Sequence, residues 1–424
     1  LEIAPLAVER VAPGVALQPV AAALAGEVDV PDPQRHRPRG AFLQVQVAAR
    51  RQHLAVDEVE LHVLPPHLDR QLDAPLDRRA CERQRGLALA DLQRPAAGLR
   101  GGLAPAALAQ PCTTSWTDAA GGAWADGSKW DNGVPTATSV ACITLDGTYT
   151  VTVGGITTDV LRLGAASGTQ TLVAGGTLAF STSAEISANG VFEWTSGYMT
   201  SGTMTNSGLI RLTSSTGSRG VNGTTLRNQG TVEHSGTGLF YIYLGGRVEN
   251  TAEWTVTEAG DLVGSTGPGT FVNESTGTLT KSGGGLSTVS GGGLTFDNAG
   301  AIDVQEGEFR FDRPSLHTDA TLTTASEAVL RFNTGGATFV GTIAGEQAGT
   351  LLTNDNMVAG ADAEWAFSGT GIEWTGNYLD AGTLLNSGLI RLTGTTGSRG
   401  VRNADVVLRN EGTVEHSSTG AFYI

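Results

Sequence analysis

Beyond Tyr149 the chain alternates apolar and polar residues in short bursts separated by Gly, Asn, Ser and Thr. Val151-Thr-Val153, Val160-Leu-Arg-Leu163, Thr171-Leu-Val173 and Thr177-Leu-Ala-Phe180 open the series. A period of two predicts strands with one buried face, and no window sustains the 3.6-residue period of a helix. After Pro135 only Pro268 and Pro314 intervene. The region therefore reads as all-β.

The bursts themselves recur. Asn206-Ser-Gly-Leu-Ile-Arg-Leu-Thr213 returns letter for letter at Asn386 to Thr393, with looser copies between. Each copy has an apolar residue, a spacer, an Asn, small residues, then an alternating strand. The Asn positions are 206, 228, 250, 273, 298, 386 and 410. Neighbouring positions step by 22 or slightly more, and the interval from 298 to 386 is four times 22. A fixed period of this size predicts a parallel β-helix over 151–424, with about 22 residues per coil. At about 4.8 Å per coil, some twelve coils would make a rod on the order of 60 Å long.

Period two also fixes the faces. Ile210 and Leu212, Val232 and His234, Trp254 and Val256, and Ile302 and Val304 are expected inside, as are Met204, Leu226, Val248, Phe271 and Phe296. Arg211, Glu233, Thr255 and Asp303 are expected outside. Arg211 and Glu233 then sit side by side on adjacent coils, as do Arg391 and Glu415. Asn suits the corner on two grounds: it tolerates the left-handed backbone region, and stacked amides hydrogen-bond along a column.

A longer repeat overlies the short one. Glu193-Trp-Thr recurs at 373 and Thr216-Gly-Ser-Arg-Gly-Val221 at 396, both offset by 180; Thr231-Val-Glu-His234 recurs at 413 after a two-residue insertion. The second copy stops at Ile424, opposite Ile242, so further repeats are expected beyond it.

Composition divides the chain. Residues 1–110 hold thirteen Arg and thirteen acidic residues, and lack Lys, Ser, Thr, Asn, Tyr, Trp and Met. Turns and helix caps draw on several of these types. The segment reads either as a disordered leader or as sequence that is not an authentic product. Ala107-Leu108-Ala109 has the small-x-small form of a signal-peptidase site, which would place the remainder outside the cytoplasm, secreted or at the cell surface. The whole net charge of −15 falls on residues 111–424; it argues against nucleic acid. No run of eighteen apolar residues exists, so no transmembrane helix is expected. Cys112 and Cys142, thirty residues apart, read as one disulfide in an exported protein or as two free thiols.

Residues 111–150 form a segment rich in Trp, Gly and Asp. Trp116, Trp124 and Trp130 could stack on sugar rings, or cover the open first rung, since a solenoid needs an end cap. Elsewhere P-loop, HExxH, CxxC-pair and GxSxG signatures are absent, and no metal or cofactor is expected. Most charged residues come in repeat-related pairs, which points to scaffold. The unduplicated cluster is Glu306, Glu308, Arg310, Asp312, Arg313, His317 and Asp319, and the first four are spaced to project from one face of a strand. It is the one candidate active surface for a polysaccharide lyase or hydrolase, chemistry that needs convergent carboxylates. A solvated charged strand is the plainer reading.

The Trp-rich opening with Gly133 and Pro135, followed by Glu193-Trp-Thr-Ser-Gly, Gly-Thr-Met-Thr-Asn-Ser-Gly and Leu-Arg-Asn-Gln-Gly-Thr-Val, resembles the large exported repeat proteins of bacteria. These are the filamentous-haemagglutinin-type adhesins and autotransporter passenger domains. The resemblance covers 112–424 and implies a right-handed β-helix, export, and adhesion or structural work at a cell surface. Partners would be cell-surface glycans or host and matrix surfaces. The expectation is a non-enzymatic rod, with a carbohydrate-active enzyme or carbohydrate-binding module as alternatives.

Overall fold

The computed structural model describes residues 110–395 and 398–424; the leader and the cleavage motif at 107–109 lie outside the described residues. The chain winds as a parallel β-solenoid of about 13 turns. Each coil contributes three short strands. The first face is a 14-stranded parallel sheet running from Gly122–Ala123 to Val407–Asn410. The second and third faces belong to one 25-stranded sheet. They are joined where Ile156–Leu163, Leu178–Ile186 and Gly197–Asn206 run around the corner as single bulged strands. Further on the corner sharpens. Arg219–Asn222 then lies on the second face and Thr225–Asn228 on the third.

Alternation holds the register. Ile210 pairs beside Val232 and Val232 beside Trp254, and all three are fully buried. Inside, aromatic rings follow one another along the axis: Trp194, Phe240, Trp254, Phe271, Phe296, Phe311 and Phe332 meet at centroid distances of 4.9–5.7 Å. Each ring buries on the order of 150–250 Å², so a core only one side chain deep on each face is continuous from coil to coil.

The Asn column is part of that interior. The Nδ2 of Asn206 donates to Oδ1 of Asn228 at 2.8 Å; Asn228 to Asn250, Asn250 to Asn273 and Asn273 to Asn298 follow at 2.7 Å. The second proton of Asn206 and of Asn228 reaches a first-face carbonyl one coil on, Thr231 O at 2.9 Å and Glu253 O at 2.8 Å. One part of the sequence rationale is corrected. None of these Asn residues has positive φ, so their place rests on inward amide bonding and not on left-handed backbone tolerance.

The column also ends sooner than uniform counting places it. Asn298 is followed in register by His317 and then Phe339, while Asn386 lies on the first face beside Trp365 and Asn410. The cause is coil length. A step of 22 from Asn298 would reach Ala320, yet its partner is His317. The same step from Phe311 would reach Asn333, yet its partner is Phe332. Coils this short fit four and a third turns between Asn298 and Asn386, where uniform coils fit four.

The duplicated unit is consequently turned. Leu209–Leu212 is the tenth strand and Leu389–Leu392 the thirty-fifth; at three strands per coil they are eight coils and one strand apart. What stood on the first face in the first copy stands on the second face in the second copy. Local contacts survive the turn. His234 Nε2 meets Gly238 O at 3.0 Å and His416 Nε2 meets Gly420 O at 3.1 Å. Trp194 Nε1 donates to Ser196 O at 3.1 Å, and Trp374 Nε1 to Gly376 O at 3.0 Å. Each face asks for the same inward alternation, so the unit fits any of them.

At the N-terminal end the strand Val140–Ile143 is buried on both sides. Ala141 and Ile143 join the main core, while Val140, Cys142 and Val160 form a small outer cluster. Cys112 and Cys142 are disulfide-bonded with Cα atoms 5.9 Å apart, fastening the incoming segment over that cluster.

Candidate functional site

The three cap tryptophans are interior. Trp116, Trp124 and Trp130 are 2%, 6% and 4% exposed and pack edge-on at 5.1 and 4.8 Å. Trp130 Nε1 donates to Trp124 O at 2.8 Å, and Trp116 Nε1 to Asp118 O at 2.7 Å. Their ring faces are taken up by each other and by the first rungs. As sugar-stacking platforms they are ruled out by burial, and they work as the core of the cap.

The charged cluster disperses into ion pairs. Glu308 to Phe311 forms a second-face strand with Phe309 and Phe311 inward. Arg310 holds Asp312 at 2.9 Å, and Glu308 holds Arg331 on the next coil at 2.8 Å. Glu306 lies in the bend before the strand, not on it, which corrects the single-face reading. Glu308, Arg310 and Asp312 are neutralised in this way, and with Glu306 off the strand the cluster does not converge on one point. Carboxylates lifted above their ordinary range by burial do occur, at Asp261, Asp297 and Asp355. No carboxylate hydrogen-bonds a second carboxylate or a histidine among the described residues, and no group of side chains there is arranged to hold a metal ion.

The same pairing recurs on the outer faces. Arg211 Nε lies 2.9 Å from Glu233 and Arg391 Nε 3.5 Å from Glu415, each pair in register on adjacent coils. Arg227 and Arg247 share Glu249 at 2.9 and 2.7 Å. The duplicated charges therefore tie rung to rung.

Several buried bases lie inside, His234 and Arg219 among them. His234, expected inside, is fully enclosed; burial, opposed by its bond to the Gly238 carbonyl and aided by the nearby Arg219 charge, pushes its pKa down to about 4. Arg219 is itself buried, held by the carbonyls of Ser214, Gly217 and Leu212 at 3.1–3.3 Å, and desolvation lowers its pKa to about 10. The carbonyls satisfy most of the corner, while Arg219 Nε and His234 Nδ1 stay buried without a hydrogen-bond partner.

One surface feature escaped the sequence reading. Tyr198, Tyr241 and Tyr243 point outward on the second face, partly exposed, with centroids 5.5–6.3 Å apart. Between the first two lies Gly220, in register with both. The second copy repeats the arrangement on the third face: Gly400 is in register with Tyr378 and Tyr423, and the Arg402 guanidinium covers the Tyr378 ring at 4.8 Å. The longer repeat reproduces Tyr198 and Tyr241 as faithfully as it does the charged residues, and that recurrence is the signal in the sequence that points to them.

No protein-family model, curated protein or solved structure matches the chain. The surfaces themselves therefore carry the functional reading. No helix among the described residues is long and apolar enough to cross a membrane.

Proposed function

We propose that this β-solenoid is a non-enzymatic rod of a secreted or cell-surface protein, adhesin-like or structural, with contacts spread over its repeated faces. One observation carries the reading: in-register Arg–Glu pairs link adjacent coils, and repeat-related positions form the same local contacts twice. A catalytic centre is singular, whereas this surface is serial. The disulfide fits an oxidising compartment, in keeping with export. Cell-surface glycans or matrix surfaces are the proposed partners.

The test is display. Fused to a heterologous translocator on a non-adherent bacterium, the chain is expected to raise attachment to glycan-coated surfaces several-fold over the translocator alone. Unchanged attachment by cells with verified surface display would remove the adhesin reading. Release of reducing sugar from a polysaccharide by the purified protein would replace the rod with an enzyme.

A further inference from the structure

We propose that Asn132 is a site of spontaneous deamidation built into the cap, and that its conversion loosens the clasp holding the entering segment. The chain contains three Asn-Gly pairs, at 132–133, 189–190 and 222–223. An Asn followed by Gly is the pair most prone to ring closure, because a residue without a side chain leaves its amide nitrogen unobstructed. Sequence alone ranks the three equally. The fold separates them.

Closure needs a nitrogen that is not engaged, room for a five-membered ring and access for water. At the second pair Gly190 N donates to Ser187 O at 2.8 Å, and at the third Gly223 N donates to Tyr243 O at 3.1 Å. Gly133 N has no acceptor among the described residues. A Cβ added at Gly190 would lie 2.5 Å from the Leu163 carbonyl oxygen, and one at Gly223 3.2 Å from that of Leu244, whereas at Gly133 nothing stands within 4 Å. Asn132 is exposed, while Asn189 and Asn222 are half-buried. Its side chain is held by one bond, Nδ2 to Thr113 O at 3.0 Å. Hydrogen bonding, space and exposure select the same residue.

The reaction consumes only water. The Gly133 nitrogen attacks the side-chain carbonyl carbon of Asn132 and closes a succinimide. The bond to the side-chain nitrogen breaks, and ammonia leaves with the proton from Gly133. Water then opens the ring at either carbonyl, giving aspartate or isoaspartate. No group is oxidised or reduced.

The product acts on the clasp. Asp131 Oδ1 accepts from Ser115 N at 2.7 Å, and Asp131 N donates to Ser115 O at 3.0 Å. Thr114 Oγ1 donates to Gly133 O at 2.7 Å, and Asn132 holds Thr113 O. A carboxylate has no proton to donate, so either product turns a negative oxygen towards the Thr113 carbonyl. Isoaspartate also adds a carbon to the backbone path, shifting Gly133 O against Thr114. The pairing of Thr114 and Ser115 with Ala141 and Cys142 persists, as does the disulfide. The cap is therefore loosened rather than detached.

Incubation of the folded, oxidised chain in mildly alkaline buffer, then reduction, tryptic digestion and mass spectrometry, tests the site. Cleavage at Lys129, Arg162, Arg211, Arg219 and Arg227 sorts the three pairs into peptides 130–162, 163–211 and 220–227. A gain of about 1 Da, localised by fragmentation, should accumulate at Asn132 at least about fivefold faster than at Asn189 or Asn222. In denaturant the three rates should converge, since the differences belong to the fold. A smaller ratio in the folded chain, or the same ratio in denaturant, would overturn the site. Acrylamide quenching of Trp emission tests the clasp. The aged chain should be quenched more strongly than the fresh one, and Asn132→Gln, whose longer side chain closes a ring far more slowly, should not change on ageing. Equal quenching of aged and fresh chains, or an equal rise in aged Asn132→Gln, would overturn the loosening.

Discussion

At the scale of single residues, the buried polar groups are the most exacting part of the structure. Asn250 accepts from Asn228 and donates to Asn273, both at 2.7 Å. Asn250→Ala strands a donor on one side and an acceptor on the other, and each unsatisfied buried group costs about 1–3 kcal/mol. A loss of at least about 2 kcal/mol is expected in denaturant unfolding, and a loss under about 0.5 kcal/mol would mean the column is not bonded. The histidines give a pH dependence. His234 has its pKa pushed to about 4, and His317, enclosed by Phe311, Phe332 and Phe339, to about 3. In the unfolded chain both protonate near pH 6.5. Below that the unfolded state binds more protons, so stability is fully present above about pH 6.5 and falls as pH drops towards 4, by up to about 1.4 kcal/mol per unit for each group. Unfolding free energies measured from pH 7 to 5 should show this slope, reduced in His317→Phe; a flat profile would contradict it. The Asn spacing and the inward alternation were legible because each is a one-dimensional pattern. The corner role of Asn was not, since left-handed tolerance and amide stacking predict the same residue.

At the scale of elements, strand, face and coil all followed from period two laid over period 22. What sequence counting lost was the running total. Coils slightly shorter than 22 differ from it by no more than ordinary turn variation, yet their sum moves Asn386 one face away from Asn298. The cap was legible as a cap. Burial decided between its two readings, because three indoles packed edge-on leave no outward ring. The tyrosines stayed hidden for the converse reason: an outward aromatic at a strand position looks like any other β-former until its neighbour in register is known to be glycine. The cap also makes a thermodynamic prediction. The Cys112–Cys142 bridge closes a 30-residue separation, contributing about 3–4 kcal/mol in the chain-entropy model. Reduction should therefore lower the unfolding midpoint and expose the Trp cluster to fluorescence quenching before the later coils open. Identical midpoints with and without reductant would show that the cap is held by packing alone.

At the scale of the whole molecule, a stack of near-identical coils is a quasi-one-dimensional object whose neighbours carry its stability. Function in such an object is a matter of what its faces show and how often. The one-face turn between copies is therefore the feature with the largest consequence, since it sets the tyrosine columns on two sides of one rod. It begins with the shortened coil after Asn298, which places Asp297 directly beside Leu316, where a uniform step of 22 would place it beside Asp319. Neighbouring strands stand about 4.8 Å apart, within the Cα range a disulfide accepts. In a Cys81→Ser background, a chain carrying Asp297→Cys and Leu316→Cys should cross-link readily under mild oxidation, and one carrying Asp297→Cys and Asp319→Cys should not. Cross-linking of 297 to 319 but not to 316 would restore a uniform coil, set both copies on the same face, and contradict the turned repeat.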